Sequence, residues 1–310
     1  MHWLKYLFNI RKSKSEKDRL VMTLLCRNEI DVIEANIRVH AELGVDAFVV
    51  MDNGSTDGTR EKLSELANEY DLHIIDQPDQ TYRQALWMKQ LVIYARKRLD
   101  ADWVISNDAD EFWIPQDDGK SLKDYLKLGD SVVSVNKKNM LLTGQASRDF
   151  SDRFFDADYR IQHPINYPVD ARVKGKRVSI LFNETPGKVI VNPNGFIKIS
   201  GGNHRAKHIG KFLTGRLEKG IMVYHYPIRS WQQFKARVEQ DQKLLKLPGV
   251  KVGNHKRRWV RLLEEGELFG EYESFIVNKD DLNTLVKYGI AVEDFKPKAL
   301  FESLFVKKLG

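Results

Sequence analysis

The chain has 310 residues, 42% apolar and 30% charged, with 20 Gly, 9 Pro and a formal net charge of +7. That composition excludes a collagen-like or low-complexity chain, and the length suits one large domain with or without an appendage. A single cysteine, Cys26, excludes an intrachain disulfide scaffold and a cysteine-based zinc site, and makes a reducing compartment the simpler expectation.

Leu20 to Leu25 is a short, continuous apolar run, the mark of a strand buried on both faces of a parallel sheet. Residues 30–43 follow with helical spacing at Ile30, Ile33, Ile37 and Leu43. Ala47 to Met51 reads as a second buried strand, and residues 57–69 as a helix with Asp57 or Thr59 as its cap. His73 to Ile75 is a third strand. Residues 82–99 form a longer amphipathic helix with Leu86, Leu91, Ile93, Tyr94 and Leu99 apolar, and Trp103 to Ser106 is a fourth strand. Such alternation builds βαβ units and a mostly parallel sheet flanked by helices, an α/β fold. Ligands then bind beyond the carboxyl ends of the strands. Arg27-Asn28-Glu29, Asp52-Asn53 and Asp108 to Glu111 all fall at that edge.

Beyond residue 115 the pattern changes. Residues 131–142 and 178–200 are β-rich, Gly201-Gly202-Asn203-His204 breaks the chain, and Ile221 to Tyr226 is a further strand. From Trp231 the sequence is mainly helical. The expected division is a basic N-terminal segment (1–19), a main domain (20–228, with halves 20–115 and 116–228) and a helical C-terminal extension (229–310).

Asp108-Ala109-Asp110 follows a buried strand directly. Two carboxylates leaving an extended strand end can face one hard divalent cation, which keeps open positions for phosphate. A solvated acidic turn is the bland alternative, and the apolar strand before it and Glu111-Phe112-Trp113 after it argue for the site. In Asp52 to Thr59, Asp52 can accept hydrogen bonds from a ribose or a base amide; a plain loop with a helix cap is the alternative.

Three stretches together, Thr23 to Glu29, Val49 to Thr59 and Asn107 to Trp113, resemble family-2-like glycosyltransferases of the GT-A fold, and the Asp-x-Asp-Glu-Phe run is also similar to family-92-like enzymes. Gly201 to His204 and His225 to Phe234 look like the same subgroup. The resemblance implies a GT-A-like, Rossmann-type sheet and transfer of a sugar from a nucleotide-sugar donor, UDP-linked first, to a hydroxyl of a glycan or lipid-linked glycan. It implies that Arg27, Asn28, Glu29, Asp52 and Asn53 hold the nucleotide, that Arg83 and Gln84 start a helix near the diphosphate, and that Asp108 touches ribose or metal. It further implies Asp110 as principal ligand of Mn²⁺ or Mg²⁺, His225 as a late imidazole ligand, and His204 as the base where such enzymes place an Asp, with inversion. Asp170 and Glu184 are fallback carboxylates. Arg205, Lys207, Lys211 and Arg216 form a basic cluster, either a solvated loop or a clamp on an anion. The remaining histidines, His40 among them, read as structural or surface residues.

A nucleotidyltransferase or pyrophosphorylase uses a similar sheet, but Arg27-Asn28-Glu29 lacks the glycines its phosphate loop would want. A non-catalytic nucleotide- or glycan-binding module is the other alternative. The whole positive surplus lies in residues 1–19 and 296–310, which leaves the middle neutral and argues against nucleic-acid binding. No run reaches the roughly 18 apolar residues of a membrane span. Both ends carry apolar residues flanked by Lys or Arg, which suits either peripheral contact with an anionic membrane or packing on the domain or a second subunit. The expected setting is cytoplasmic, at the inner face of the plasma membrane, in bacterial-type surface polysaccharide synthesis.

Overall fold

A computed structural model describes residues 18–79, 83–144, 154–165, 179–209, 215–247 and 253–305. In chain order the first elements are β1 (Leu20–Cys26), α1 (Ile33–Glu42), β2 (Ala47–Asp52), α2 (Thr59–Leu66), β3 (Leu72–Asp76), α3 (Gln84–Arg98), β4 (Trp103–Asn107), β5 (Glu111–Pro115) and β6 (Val132–Thr143). The short strands β7 (Tyr159–Ile161), β8 (Lys188–Val191), β9 (Phe196–Ile199) and β10 (Ala206–His208) precede the longer β11 (Arg216–His225). Then come α4 (Trp231–Leu245), α5 (Asn254–Glu264), α6 (Leu268–Glu273), β12 (Ile276–Val277), α7 (Lys279–Lys287), β13 (Ala291–Glu293) and α8 (Lys296–Phe305). The chain divides into two compact units, residues 1–137 with 186–223, and residues 138–185 with 224–310. Residues 138–185, expected from the sequence with the main domain, thus group with the C-terminal residues.

In the first unit the strand order is β3-β2-β1-β4-β8-β6. The first four are parallel, and β8 pairs antiparallel with β4 and β6. Every residue of β2 and β4 is buried, as the continuous apolar runs require of strands covered on both faces. One face is covered by α3, whose Trp87, Met88, Leu91, Val92 and Ala95 pack with Val21, Val49, Met51, Val104, Val189 and Val191. Leu86, expected on that face, is 47% exposed. The i, i+4 row through Trp87, Leu91 and Ala95 is the one that meets the sheet, and Leu86 lies off it.

The expected cap of α2 is also corrected. The N-cap residue is Gly58, and the Asp57 carboxylate accepts from the backbone N–H and hydroxyl of Thr59, two residues on. Strand β5 pairs with β11, and Gln116 N–H reaches Gly220 O at 2.8 Å.

The second unit pairs β7 with the end of β6 and with β13, and β12 with Leu142 and Thr143 of β6. Phe234 of α4 meets Trp259 of α5 and Phe275 edge to face and stacks on Tyr272 of α6, and Trp259 meets Phe275 edge to face. Helix α8 buries Pro297 and Phe301, the latter against Phe155 and Tyr226, while Leu300, Leu304 and Phe305 are half-buried and Ala299 is exposed. Residues 1–17 and 306–310, which carry most of the charge expected at a membrane or partner, lie outside the described residues. Among the described residues no helix is long and apolar enough to cross a membrane.

Candidate active site

Strand β1 lies between β2 and β4, so the chain leaves its carboxyl end toward one side of the sheet and later returns on the other. That is a topological switch point, where α/β sheets open a crevice for ligands. Arg27 to Glu29 and Asp108 stand on its two sides.

The loop after β1 and the loop after β2 are laced together. Asn28, at a left-handed φ of 57°, accepts the Thr56 N–H at 2.8 Å and gives its own N–H to Ser55 Oγ at 2.9 Å. The Glu29 N–H donates to Thr59 Oγ1 at 2.9 Å. Asp52 is buried and accepts from the N–H groups of Gly54 and Ser55 and from the Ser55 hydroxyl. Its carboxylate shapes its own loop. Asn53 donates to Gln77 O and Asp79 O. Arg83 caps α3 and is 58% exposed, 4.0 Å from Asp79, and Gln84 opens the helix.

The acidic motif is not the extended strand end that the sequence suggested. Strand β4 stops at Asn107, and the Glu111 N–H bonds back to Asp108 O at 3.1 Å, so residues 108–111 form a tight turn into β5. A buried polar network holds this turn. Asn36, at the centre of α1, gives its amide N–H groups to Ala109 O (2.8 Å) and Glu111 O (3.0 Å). Asn107 donates to Glu111 O and accepts the Trp113 indole N–H at 2.8 Å. His40 Nε2 accepts the Trp113 backbone N–H at 3.0 Å, which places its proton on Nδ1, facing Asn36 O. Burial lowers the His40 pKa to about 4, so the ring stays neutral in this network. Replacing Asn36 by Leu leaves the carbonyl of Ala109 without that amide inside the protein, at an expected cost of about 2–3 kcal/mol. A thermal melt of Asn36→Leu then shows a midpoint lower by roughly 5–10 °C.

Two lysines that the sequence reading did not single out meet the acidic turn. Lys188, which opens β8, places Nζ 2.6 Å from Asp108 Oδ2 and 2.9 Å from Glu111 Oε2. Lys137 reaches Glu111 Oε1 at 3.0 Å. The side chains of Lys188, Glu111 and Lys137 are 0%, 1% and 7% exposed, and that of Asp108 is 32% exposed. Burial alone pushes the Lys188 ammonium down. The charges of Asp108 and Glu111 outweigh it, and the group lies above its ordinary value. The other Asp108 oxygen accepts from Asn203 Nδ2 at 3.3 Å. Asp110 and Glu111 present carboxylate oxygens within 4.8 Å of each other. With Asp108, Lys137 and Lys188 these groups sum to −1, and hard oxygen donors with residual negative charge fit a divalent cation.

His204 lies just past the Gly201 to Asn203 turn. Its Nδ1–H donates to Gly187 O at 2.9 Å, which leaves the ring lone pair on Nε2. Gly202 (φ 72°) lies under the ring, where a Cβ would stand 2.5 Å from Nε2. Gly187 passes so close to β6 that a Cβ would stand 2.4 Å from Val135 O. Burial, first of all, lowers the His204 pKa below its ordinary value; the Gly187 bond opposes this, and the charges of Lys188 and Lys137 add to it. His225 ends β11 in the second unit, and its Nδ1 faces Asn139 Oδ1 at 2.7 Å. That bond selects the tautomer with the lone pair on Nε2, the form a metal-ligating imidazole carries.

The basic cluster after His204 is divided. Arg205 and Lys207 are exposed, Lys211 lies outside the described residues, and Arg216 is held by Asp130 at 2.7 Å and by Glu218. Of the fallback carboxylates, Glu184 is exposed in the second unit and Asp170 lies outside the described residues. Lys137, Lys188 and Asn36 escaped the sequence reading, and Asn203 was seen only as part of the Gly201 to His204 motif, because each is distant in sequence from the residues it touches. The one signal for Lys188 was a lysine opening an otherwise apolar strand run, Lys188-Val-Ile-Val191.

No curated protein matches the chain. Among solved structures it is similar to S. aureus TarS 1-349 in complex with UDP-GlcNAc, at 10% identity and a TM-score of 0.39, over 92% of this chain and 81% of that one. It is also similar to glucosyl-3-phosphoglycerate synthase from Mycobacterium tuberculosis in complex with Mn²⁺, UDP and glucosyl-3-phosphoglycerate. There the identity is 20% and the TM-score 0.27, over 39% of this chain and 44% of that one. The sequence of residues 28–246 matches glycosyltransferase family 92, a span that takes in the laced loops, the acidic turn, Lys188 and His204. The chain belongs to that family and is a glycosyltransferase.

Proposed function

We propose that this enzyme transfers one sugar from a nucleotide-sugar donor, with UDP as the first nucleotide, to a hydroxyl of a glycan or lipid-linked glycan, with inversion at the anomeric carbon. The observation that carries the reading is the start of β8. There Gly187 O fixes the His204 tautomer, and the next residue, Lys188, fixes Asp108 at the switch point. One short segment thus sets both the candidate base and the candidate donor carboxylate.

In this reading the nucleotide lies against the laced loops after β1 and β2, and Asp108 accepts from the ribose. His204 Nε2 takes the proton of the acceptor hydroxyl as its oxygen forms the new bond to the anomeric carbon. The bond from that carbon to the diphosphate oxygen breaks, and the electron pair leaves with the nucleoside diphosphate. The donor set around Asp110 fits Mn²⁺ or Mg²⁺, which when bound supplies positive charge to the leaving diphosphate. Membership of a glycosyltransferase family sets aside the nucleotidyltransferase and binding-module alternatives. Surface polysaccharide assembly at the inner face of the plasma membrane is the setting we propose, on the resemblance and on the basic ends of the chain.

A thermal-shift series with UDP, GDP, CDP and ADP, each with and without Mn²⁺, tests the donor site. A ligand at a hundred times its Kd stabilises the native state by about 2.7 kcal/mol. One nucleotide is expected to raise the melting temperature, and more so with Mn²⁺. No shift with any of the four overturns the donor-site reading.

A further inference from the structure

Lys188 cannot act on a substrate directly, because its side chain is fully buried. Yet it sits beneath a carboxylate that is about one-third exposed at the mouth of the switch point. Asn203 is equally buried and approaches the same carboxylate from the opposite oxygen. Its backbone takes φ 60°, a conformation uncommon outside glycine, directly after Gly202 at φ 72°. Two consecutive left-handed residues turn the chain so that the Asn203 amide faces inward and the next residue, His204, lies over Gly202. Three carboxylates within four residues repel one another, and a flexible Asp108 would lose conformational freedom on meeting a ligand. Lys188 and Asn203 remove that freedom beforehand. A buried charge pair is weak evidence for stability, so its value here lies in fixing geometry.

We propose that Lys188 and Asn203 are positioning residues that clamp the two oxygens of Asp108, so that its carboxylate is set in advance for the ribose of the nucleotide donor. The inference rests on the donor-site reading above. It adds two residues from distant parts of the chain, neither of which touches the donor.

The test is a binding cycle on the full chain, read by calorimetry with the best-binding of UDP, GDP, CDP and ADP, in EDTA and in Mn²⁺. Lys188→Met removes the ammonium at similar length. Asn203→Gly removes the amide at a backbone conformation that glycine accepts without strain, so this variant keeps the fold. Lys188→Met is expected to weaken binding about tenfold and Asn203→Gly about threefold, as for the loss of one ordering contact. In an Asp108→Ala background Asn203→Gly weakens binding no further, because its amide acts through that carboxylate, whereas an effect of Lys188→Met that remains there reports its second partner, Glu111 Oε2. A purely structural role would not produce this dependence on Asp108. Wild-type affinity in both single variants overturns the clamp, and so does an Asn203→Gly loss that multiplies with Asp108→Ala. Should Lys188→Met fail to fold, Asn203→Gly with and without Asp108→Ala decides the matter. If the wild-type chain binds none of the four nucleotides, the donor-site reading falls and the clamp with it. If the wild type binds and the variants bind equally well, the clamp alone falls.

Discussion

Asp110→Asn is expected to lower turnover about a hundred- to a thousandfold, the range seen when one preorganised electrostatic group is removed from a reacting site. The substitution keeps the shape of a buried side chain in a tight turn and removes one negative charge. The five charges of Asp108, Asp110, Glu111, Lys137 and Lys188 then sum to zero, and the preference for a cation goes. The check has two parts. Release of sugar from the donor is followed in wild type and variant, and the thermal shift with nucleotide is compared with and without Mn²⁺. A loss of turnover together with loss of the Mn²⁺-dependent part of the shift supports the assignment. Unchanged turnover in a folded variant removes Asp110 from the site.

His204→Ala is the second large effect, an expected loss of about a hundred- to ten-thousandfold in turnover if Nε2 is the base. The pH profile separates a base from a packing residue. Burial and the neighbouring lysines lower the His204 pKa from 6.5, so the neutral, proton-accepting form is present at pH 7 and disappears only as the pH falls through that lowered value. The acidic limb of kcat/KM in the wild type is therefore expected to have its midpoint below 6.5. His204→Gln should lack that limb and retain nucleotide binding. A wild-type limb centred above 6.5, or one that persists in His204→Gln, assigns the base to another group.

The parallel half of the sheet was legible because local pattern and tertiary environment agree there. Leu20 to Leu25 and Ala47 to Met51 are apolar but for Thr23 because both faces are covered, and a run of that kind has few other places to go. The polar residues after those strands lie at the ligand edge for a reason of chain direction, since parallel strands all end on the same side. The loops around Asn28 and Asp52, and the place of the Asp108 turn, follow from this rule. Helix α3 shows its limit. The periodicity marked a helix but put Leu86 on the wrong side, because several apolar rows run along it and only contact with β1, β2 and β4 selects one.

Sequence order therefore determined the α/β class and the switch-point edge on which Asp108 and Asp110 stand, and the family resemblance added His204 as a candidate. Tertiary structure decided how those residues are held. Lys188 is 80 residues from Asp108, Asn203 is 95 away, and Asn36 is 73 from the carbonyl it supports. Nothing in a linear pattern marks a lysine as the counter-charge of a particular carboxylate, or an asparagine as the donor to a particular turn. Those pairings arise because a buried charge or amide must find its partner within hydrogen-bond reach, and the partner is chosen by how the strands and the turn meet in space.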